Sequence, residues 1–326
     1  MTVDTTLADL SDTLFSISVG LYSLAVVAFC AQLAFGRRPA ARRELVGAGA
    51  GAGAGGVPPA PAGGDAPAEP ASVRRYGLAG MVLTVLGALA QGGVLLFRGL
   101  ATDRLPWGNM YEFATGVVLV AVVAFVVLAL RRPALRHLGV FVLVPVVLSM
   151  VGIGLFLYAE AGPLVASLRS SWLAVHVSTA ILGFGVFFVS GIASVMYLLR
   201  ARHDARVADG TAPGGGLLDR LPSSAALDRV AHRTAVFGFP IWTFAVIAGA
   251  IWAESAWGRF WGWDPKETWA FIAWVVYAAY LHARTTAGWR GRPAAWVNVV
   301  GLGVMIFNLL YVNMVSTGLH SYAGVS

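Results

Sequence analysis

Five of the chain's eleven tryptophans fall between positions 252 and 269: Trp252, Trp257, Trp261, Trp263 and Trp269. They share that stretch with Asp264, Glu267 and the chain's single lysine, Lys266. Large aromatic faces beside a few fixed charges suit a flat, apolar ligand with ionised edges. They equally suit an interfacial belt, because Trp and Tyr gather where a membrane meets water. A belt, however, is usually spread over many helix ends rather than packed into one. Asp264-Pro265-Lys266-Glu267 has a local reading of its own. Asp264 is placed to be an N-cap, Pro265 the first helical residue and Glu267 the reciprocal capping side chain. A rigid helix start of this kind holds the aromatic loop in one shape, so the structural and ligand-binding readings are compatible.

Six histidines accompany the tryptophans. His137, His203 and His232 sit in or beside arginine clusters and read as solvated or interfacial. His176, in SSWLAVHVST, and His320, in STGLHSYA, fall at the ends of two apolar segments, on the side of the tryptophan stretch. Neutral imidazole ligates metals and haem iron. Each ring alone reads most simply as a polar helix end; as a pair beside this loop they suit two ligands to one iron. His282 follows Glu267 by fifteen residues, roughly 22 Å along a helix. It cannot share the outer site, and as a ligand it would mark a second, inner one. Trp107, Asn109, Tyr111 and Glu112, in DRLPWGNMYEF, fall on the tryptophan side as well; they read equally as belt plus helix cap.

The elements that must position these residues are membrane helices. The chain is 58% hydrophobic and 12% charged, with a mean hydropathy of +0.73. That excludes an ordinary soluble domain. About eight apolar segments are long enough to span a bilayer: 14–35, 76–97, 113–130, 138–158, 172–199, 235–253, 269–283 and 294–315. The net charge of +7 does not form a nucleic-acid face. The arginines cluster in the first, third, fifth and seventh connections, while Arg98, Arg104, Arg169, Arg259 and Lys266 fall on the other side. The positive-inside rule makes the odd connections cytoplasmic and both termini, with the tryptophan loop between spans six and seven, extracytoplasmic. Residues 46–72 form an Ala/Gly/Pro tract with no large apolar side chains to drive packing and read as a flexible cytoplasmic linker. It separates an N-terminal helix with its basic flank (1–45) from the main membrane domain (73–326). The acidic N-terminus carries no basic n-region, so no cleavable signal peptide is expected. Cys30, the one cysteine, reads as a small packing residue, and no dithiol chemistry is available. Gly183, Gly185, Gly191, Gly301 and Gly303 read as close helix-packing positions. Few polar residues lie mid-span; Asn308 and Asn313 are two of them.

The run WGRFWGWDPKE (257–267) resembles the tryptophan-rich WWD signature of haem-handling cytochrome c assembly proteins, in particular the CcsA/ResC type (also named CcsB) of System II. WGNMYEF, His176, His320 and His282 are similar to that family too, and the likeness covers roughly 76–326. The resemblance implies a protein that moves haem b outward across the cytoplasmic membrane and presents it to the CxxCH motif of an apocytochrome c. It would act with a ResB-type membrane partner, with thiol-reducing proteins as further candidates, as part of a two-component cytochrome c synthase. By the same likeness His176 and His320 are the external axial ligands and His282 the inner haem histidine. Trp252, Trp257, Trp261, Trp263, Asp264 and Glu267, with Trp107, Asn109 and Glu112, form the platform. Catalysis is expected from positioning by His176, His320 and Asp264 rather than from a nucleophile on this chain. A haem transporter or chaperone without ligation activity shares the signature, and a non-haem solute transporter is the remaining alternative.

Overall fold

The computed structural model describes residues 3–35, 71–131, 133–163, 168, 170–214, 216–286, 288–316 and 318–320. Eight long helices follow one another: α1 (Thr5–Phe35), α2 (Ala71–Thr102), α3 (Met110–Arg131), α4 (Gly139–Gly152), α5 (Ser171–Ala208), α6 (Ser224–Trp257), α7 (Pro265–Thr285) and α8 (Arg292–Met314). No strand occurs among the described residues. The π-helical turn Ile153–Leu157 extends α4. Seven of the eight are long and apolar enough to cross a membrane. α7 falls short on composition, because tryptophans, tyrosines and a histidine replace aliphatic residues along it. The protein is an all-α integral membrane protein of about eight helices.

Most of the proposed linker, 46–70, lies outside the described residues, and α2 already begins at Ala71. α5 and α6 run well past their apolar segments, to Ala208 and back to Ser224. Polar side chains keep them helical there: Arg200 pairs with Asp204 at 2.7 Å one turn on and caps the carbonyls of Leu218, Asp219 and Leu221.

Glycine gaps set the helix pairs. A Cβ on Gly80 would meet the Phe29 ring at 2.8 Å, and one on Gly87 would meet Tyr22 at 2.6 Å. These positions therefore let α1 lie close on α2. Four of the five glycines expected to pack do so. Gly183 abuts Trp242, Gly185 abuts Val120, Gly191 abuts Leu302 and Gly301 abuts Tyr277, whereas Gly303 faces open space. Cys30 differs from its expectation and lies exposed on α1. Two polar nodes tie the helices internally. Tyr22 donates to Gln91 at 2.6 Å, and Gln91 donates to the Thr115 carbonyl at 2.9 Å, joining α1, α2 and α3. Asn298 on α8 donates to the Ser190 and Ser194 hydroxyls of α5, both at 2.8 Å.

Helix order alternates direction, so the start of α3, α5 and α7 and the end of α2, α6 and α8 meet at one end of the bundle. That end holds the tryptophan loop and two of the histidines.

Candidate functional site

The loop after α6 is built by its sequence. Gly258 closes the helix in the left-handed region, φ 71°, where a glycine carries no steric cost. Trp263 also has positive φ, 59°, an uncommon state for a non-glycine residue. Asp264 then starts α7 as expected, accepting from the Lys266 N–H at 3.0 Å. Glu267 reaches back to the Asp264 N–H at 3.1 Å and the Gly262 N–H at 2.9 Å. Its carboxylate also faces Arg259 at 3.3 Å. The loop is thus gathered around one buried acid.

α5 and α6 deliver the first histidine. The His176 Nδ1 lies 2.8 Å from the Ala245 carbonyl. A carbonyl only accepts, so Nδ1 carries the hydrogen and the neutral ring's lone pair is on Nε2. Gly249 makes this possible: a Cβ there would sit 2.7 Å from the ring. The segment after α8 delivers the second. His320 Nδ1 donates to Asp264 Oδ1 at 2.9 Å, and the neighbouring Leu319 N–H donates to Asp264 Oδ2 at 2.7 Å. Gly318 lets this segment approach, since a Cβ there would meet the same carboxylate at 2.6 Å. Burial pushes the Asp264 carboxyl up, but the His320 hydrogen bond and charge, with the Leu319 and Lys266 N–H bonds, outweigh it and hold it down at about 2. Burial is also the main cause that holds the His320 ring below its ordinary value, against the opposing pull of Asp264. A neutral imidazole oriented by a carboxylate is the usual arrangement of a metal-binding histidine.

Both histidines meet Trp252, which is fully buried. The His176 and Trp252 rings are parallel with centroids 5.9 Å apart, and His320 meets Trp252 edge-on at 5.8 Å. Trp257 packs on Trp252 at 4.8 Å and on His320 at 5.0 Å. Two small cavities share His176, Trp252, Lys266 and His320 as a common wall. One, about 60 Å³, also has Trp242, Trp257, Phe260, Trp261 and Glu267 in its lining. The other, about 90 Å³, also touches Trp107, Asn109, Met110 and Asn313. Such volumes hold a few waters. The donor set and aromatic walls suit a porphyrin, and admitting one requires the shared wall to open.

The remaining expected residues are placed as follows. Trp263 is 65% exposed and packs edge-on against Trp261 and Phe271, outside both cavities. Trp269 packs on Phe307 of α8. Glu112 is fully buried behind the second cavity, held by Arg104 at 2.8 Å, the Gly108 N–H at 2.7 Å and Arg98 at 3.4 Å. Asn109 caps α3 through the Glu112 N–H at 2.9 Å. His282 lies at the other end of α7, exposed, with Nδ1 3.2 Å from the Thr286 hydroxyl. Of the arginine-flanked histidines, His203 pairs with Asp219 at 3.1 Å and His232 meets the Tyr280 ring; the His137 side chain and Arg169 lie outside what is described. Sequence reading did not single out Trp242 or Gly249, which reach the site through the pairing of α5 with α6. Phe260 and Met110 lie inside the motifs WGRFWGWDPKE and WGNMYEF, and Asn313 stands out in the sequence only as a mid-span polar residue.

A polytopic helical bundle with a histidine–tryptophan site at one end is the class that fold and site define. A family model described as Cytochrome C assembly protein matches residues 107–320. Among curated relatives, a cytochrome c biogenesis protein CcsA from Gloeobacter violaceus is 34% identical over 294 residues, covering 74% of this chain and 86% of the relative. A Synechococcus sp. protein of the same name is 36% identical over 261 residues, covering 74% and 83%. The chain belongs to the cytochrome c assembly protein family, as a CcsA-type member with a role in cytochrome c maturation. The fold is also that of a solved structure named Cytochrome c Heme Lyase CcmF, with a TM-score of 0.53 at 15% identity. That match covers 99% of this chain, which spans 54% of the solved chain.

Proposed function

We propose that this protein carries haem b across the cytoplasmic membrane and presents it on the extracytoplasmic side, at the His176–His320 site, for thioether attachment to apocytochrome c. The observation that carries the reading is the meeting of His176 and His320 at one buried tryptophan, each with Nδ1 hydrogen-bonded and its neutral-ring lone pair on Nε2. The arginine-rich odd connections support an external site and external termini.

In this reading the chain supplies position rather than a nucleophile. Each cysteine of the CxxCH motif adds across a haem vinyl group, sulfur to one carbon and hydrogen to the other, with no net electron transfer. His176 and His320 hold the iron, Trp252, Trp257 and Trp261 cover the ring, and Trp107 and Asn109 bound the other side. Asp264 and Glu267 fix the loop that carries them. Holding the reacting groups in register supplies much of the barrier reduction. His282, exposed at the opposite end, is the inner histidine where haem is first taken up, next to a ResB-type membrane partner. Thiol-reducing proteins keep the apocytochrome cysteines available.

The test is an absorption spectrum of the detergent-purified chain, alone and co-expressed with a ResB-type partner. A low-spin Soret signature lost on changing His176 and His320 to Ala together is expected. His282→Ala lowers total haem loading. Maturation of a CxxCH reporter by the pair separates ligation from delivery alone. Normal cytochrome c maturation in both external histidine variants overturns the ligand assignment.

A further inference from the structure

We infer that Lys266 is the carboxylate-binding group of this site and sets which edge of the porphyrin faces α3 and α8. The inference rests on the haem reading above. A porphyrin with two carboxylates needs a cation at its ionised edge, and counting spans assigns five basic residues to the side of the tryptophan loop. Arg169 is outside the described residues. The other three arginines are each held by acids of the protein: Arg98 by Asp12 and Glu112 at 3.5 and 3.4 Å, Arg104 by Glu112 at 2.8 Å, and Arg259 by Glu267 at 3.3 Å. None of the three lines either cavity.

Lys266 differs on both counts. It lines both cavities, in the wall that also holds His176, Trp252 and His320. Its ammonium contacts the Asn313 side-chain oxygen and, at 3.8 Å, the Met110 sulfur. Among the described residues no carboxylate lies within ion-pair distance of it. Asp264, two residues away, directs its oxygens to His320, Leu319 and the Lys266 backbone N–H instead. Burial holds the Lys266 amine down at about 7 against the opposing charge of Asp264. A group with three donors that faces only an amide oxygen and a thioether gains most from an anion, which would also hold it in its charged form. Asn313 is itself anchored through its amide nitrogen to the Asn308 carbonyl at 3.3 Å, which orients its oxygen toward Lys266. Met110 and Asn313 both line the second cavity, which places the anionic edge of the ligand on that side. The opposite edge then lies toward Trp257 and Trp261.

The probes are iron protoporphyrin IX and its dimethyl ester, which keeps the ring and iron and lacks the carboxylates. Both are titrated into the full chain in detergent, with and without the ResB-type partner. The unaltered chain is expected to bind the free acid roughly tenfold more tightly than the diester, the scale of one charge-assisted contact. Lys266→Met should remove that preference by weakening binding of the free acid about tenfold more than binding of the diester, and Lys266→Arg should restore part of it. Equal binding of acid and diester by the unaltered chain, or an equal loss of both in Lys266→Met, overturns the assignment. The first comparison needs no variant, so misfolding cannot mask it. Binding of neither compound overturns the haem reading itself, and this inference with it.

Discussion

The Arg259 guanidinium meets the Glu267 carboxylate at 3.3 Å, eight residues further along the chain. Arg104 meets Glu112 across the same interval at 2.8 Å. In both cases a glycine N–H, of Gly262 or Gly108, donates to the same carboxylate. In both, a cap residue three positions before the acid, Asp264 or Asn109, starts the helix. One latch therefore closes the start of α7 and the start of α3, and the two starts touch through Lys266 and Met110.

The two latches are unequal in burial, and this orders their mutational cost. Glu112 is fully buried between two arginines, while Arg259 is 32% exposed. Glu112→Gln strands buried charge and should cost about 3–5 kcal/mol. Glu267→Gln should cost about 1–2 kcal/mol, the scale of a lost cap. Thermal unfolding followed by tryptophan fluorescence ranks them; equal losses would show that burial does not govern the pair.

Gly249→Val fills the notch that admits His176. The ring must leave its 2.8 Å contact with the Ala245 carbonyl. The expected outcome is a folded protein whose bound haem loses its bis-histidine spectrum. An unchanged spectrum in a stable variant argues that His176 is not held through Ala245.

Asp264→Asn cannot serve all its partners at once. Oδ1 accepts from His320 and the Lys266 N–H while Oδ2 accepts from the Leu319 N–H, and an amide nitrogen accepts nothing. The variant should be less stable than the parent at neutral pH. The sign with acid follows from the depressed carboxyl: its contribution is present above 3.8 and lost as pH falls toward about 2. The stability gap between parent and variant should therefore shrink over that window. A gap independent of pH would show that the ionised carboxylate is not what holds the tail of α8.

Asn298→Ala removes both serine contacts between α5 and α8. Interhelical hydrogen bonds of this kind average well under 2 kcal/mol, so a loss of about 1 kcal/mol is expected. A double-mutant cycle with Ser194→Ala measures the coupling directly; zero coupling would assign the contact no energetic role.

What the sequence made legible follows from how local each signal is. The start of α7 was readable because Asp264, Pro265 and Glu267 are adjacent, and a cap needs only its own first turn. The spans were readable from apolar length, α7 included (269–283 within Pro265–Thr285), although its aromatic residues lower its hydropathy. His176 and His320 were placed at one end by counting spans. Their meeting at Trp252 was beyond such counting, because it depends on how α5, α6 and the segment after α8 pair. Trp263 looked equivalent to Trp261 in the run, yet one turn of backbone places Trp261 in a cavity wall and Trp263 outside it. The roles of the arginines were illegible for the same reason, since each acid that holds one is chosen by the folded loop.

His176 and His320 are backed by different groups, the Ala245 carbonyl and the ionised Asp264 carboxylate. A full negative charge behind an imidazole raises its donor strength more than a neutral dipole does. Two rings alike in sequence are thus unequal as electron donors, and a metal held between them would be bound more strongly from the Asp264 side. On the haem reading proposed above, the bond on the α5 side would be the weaker and the first to yield, and bound haem would have a preferred side of departure.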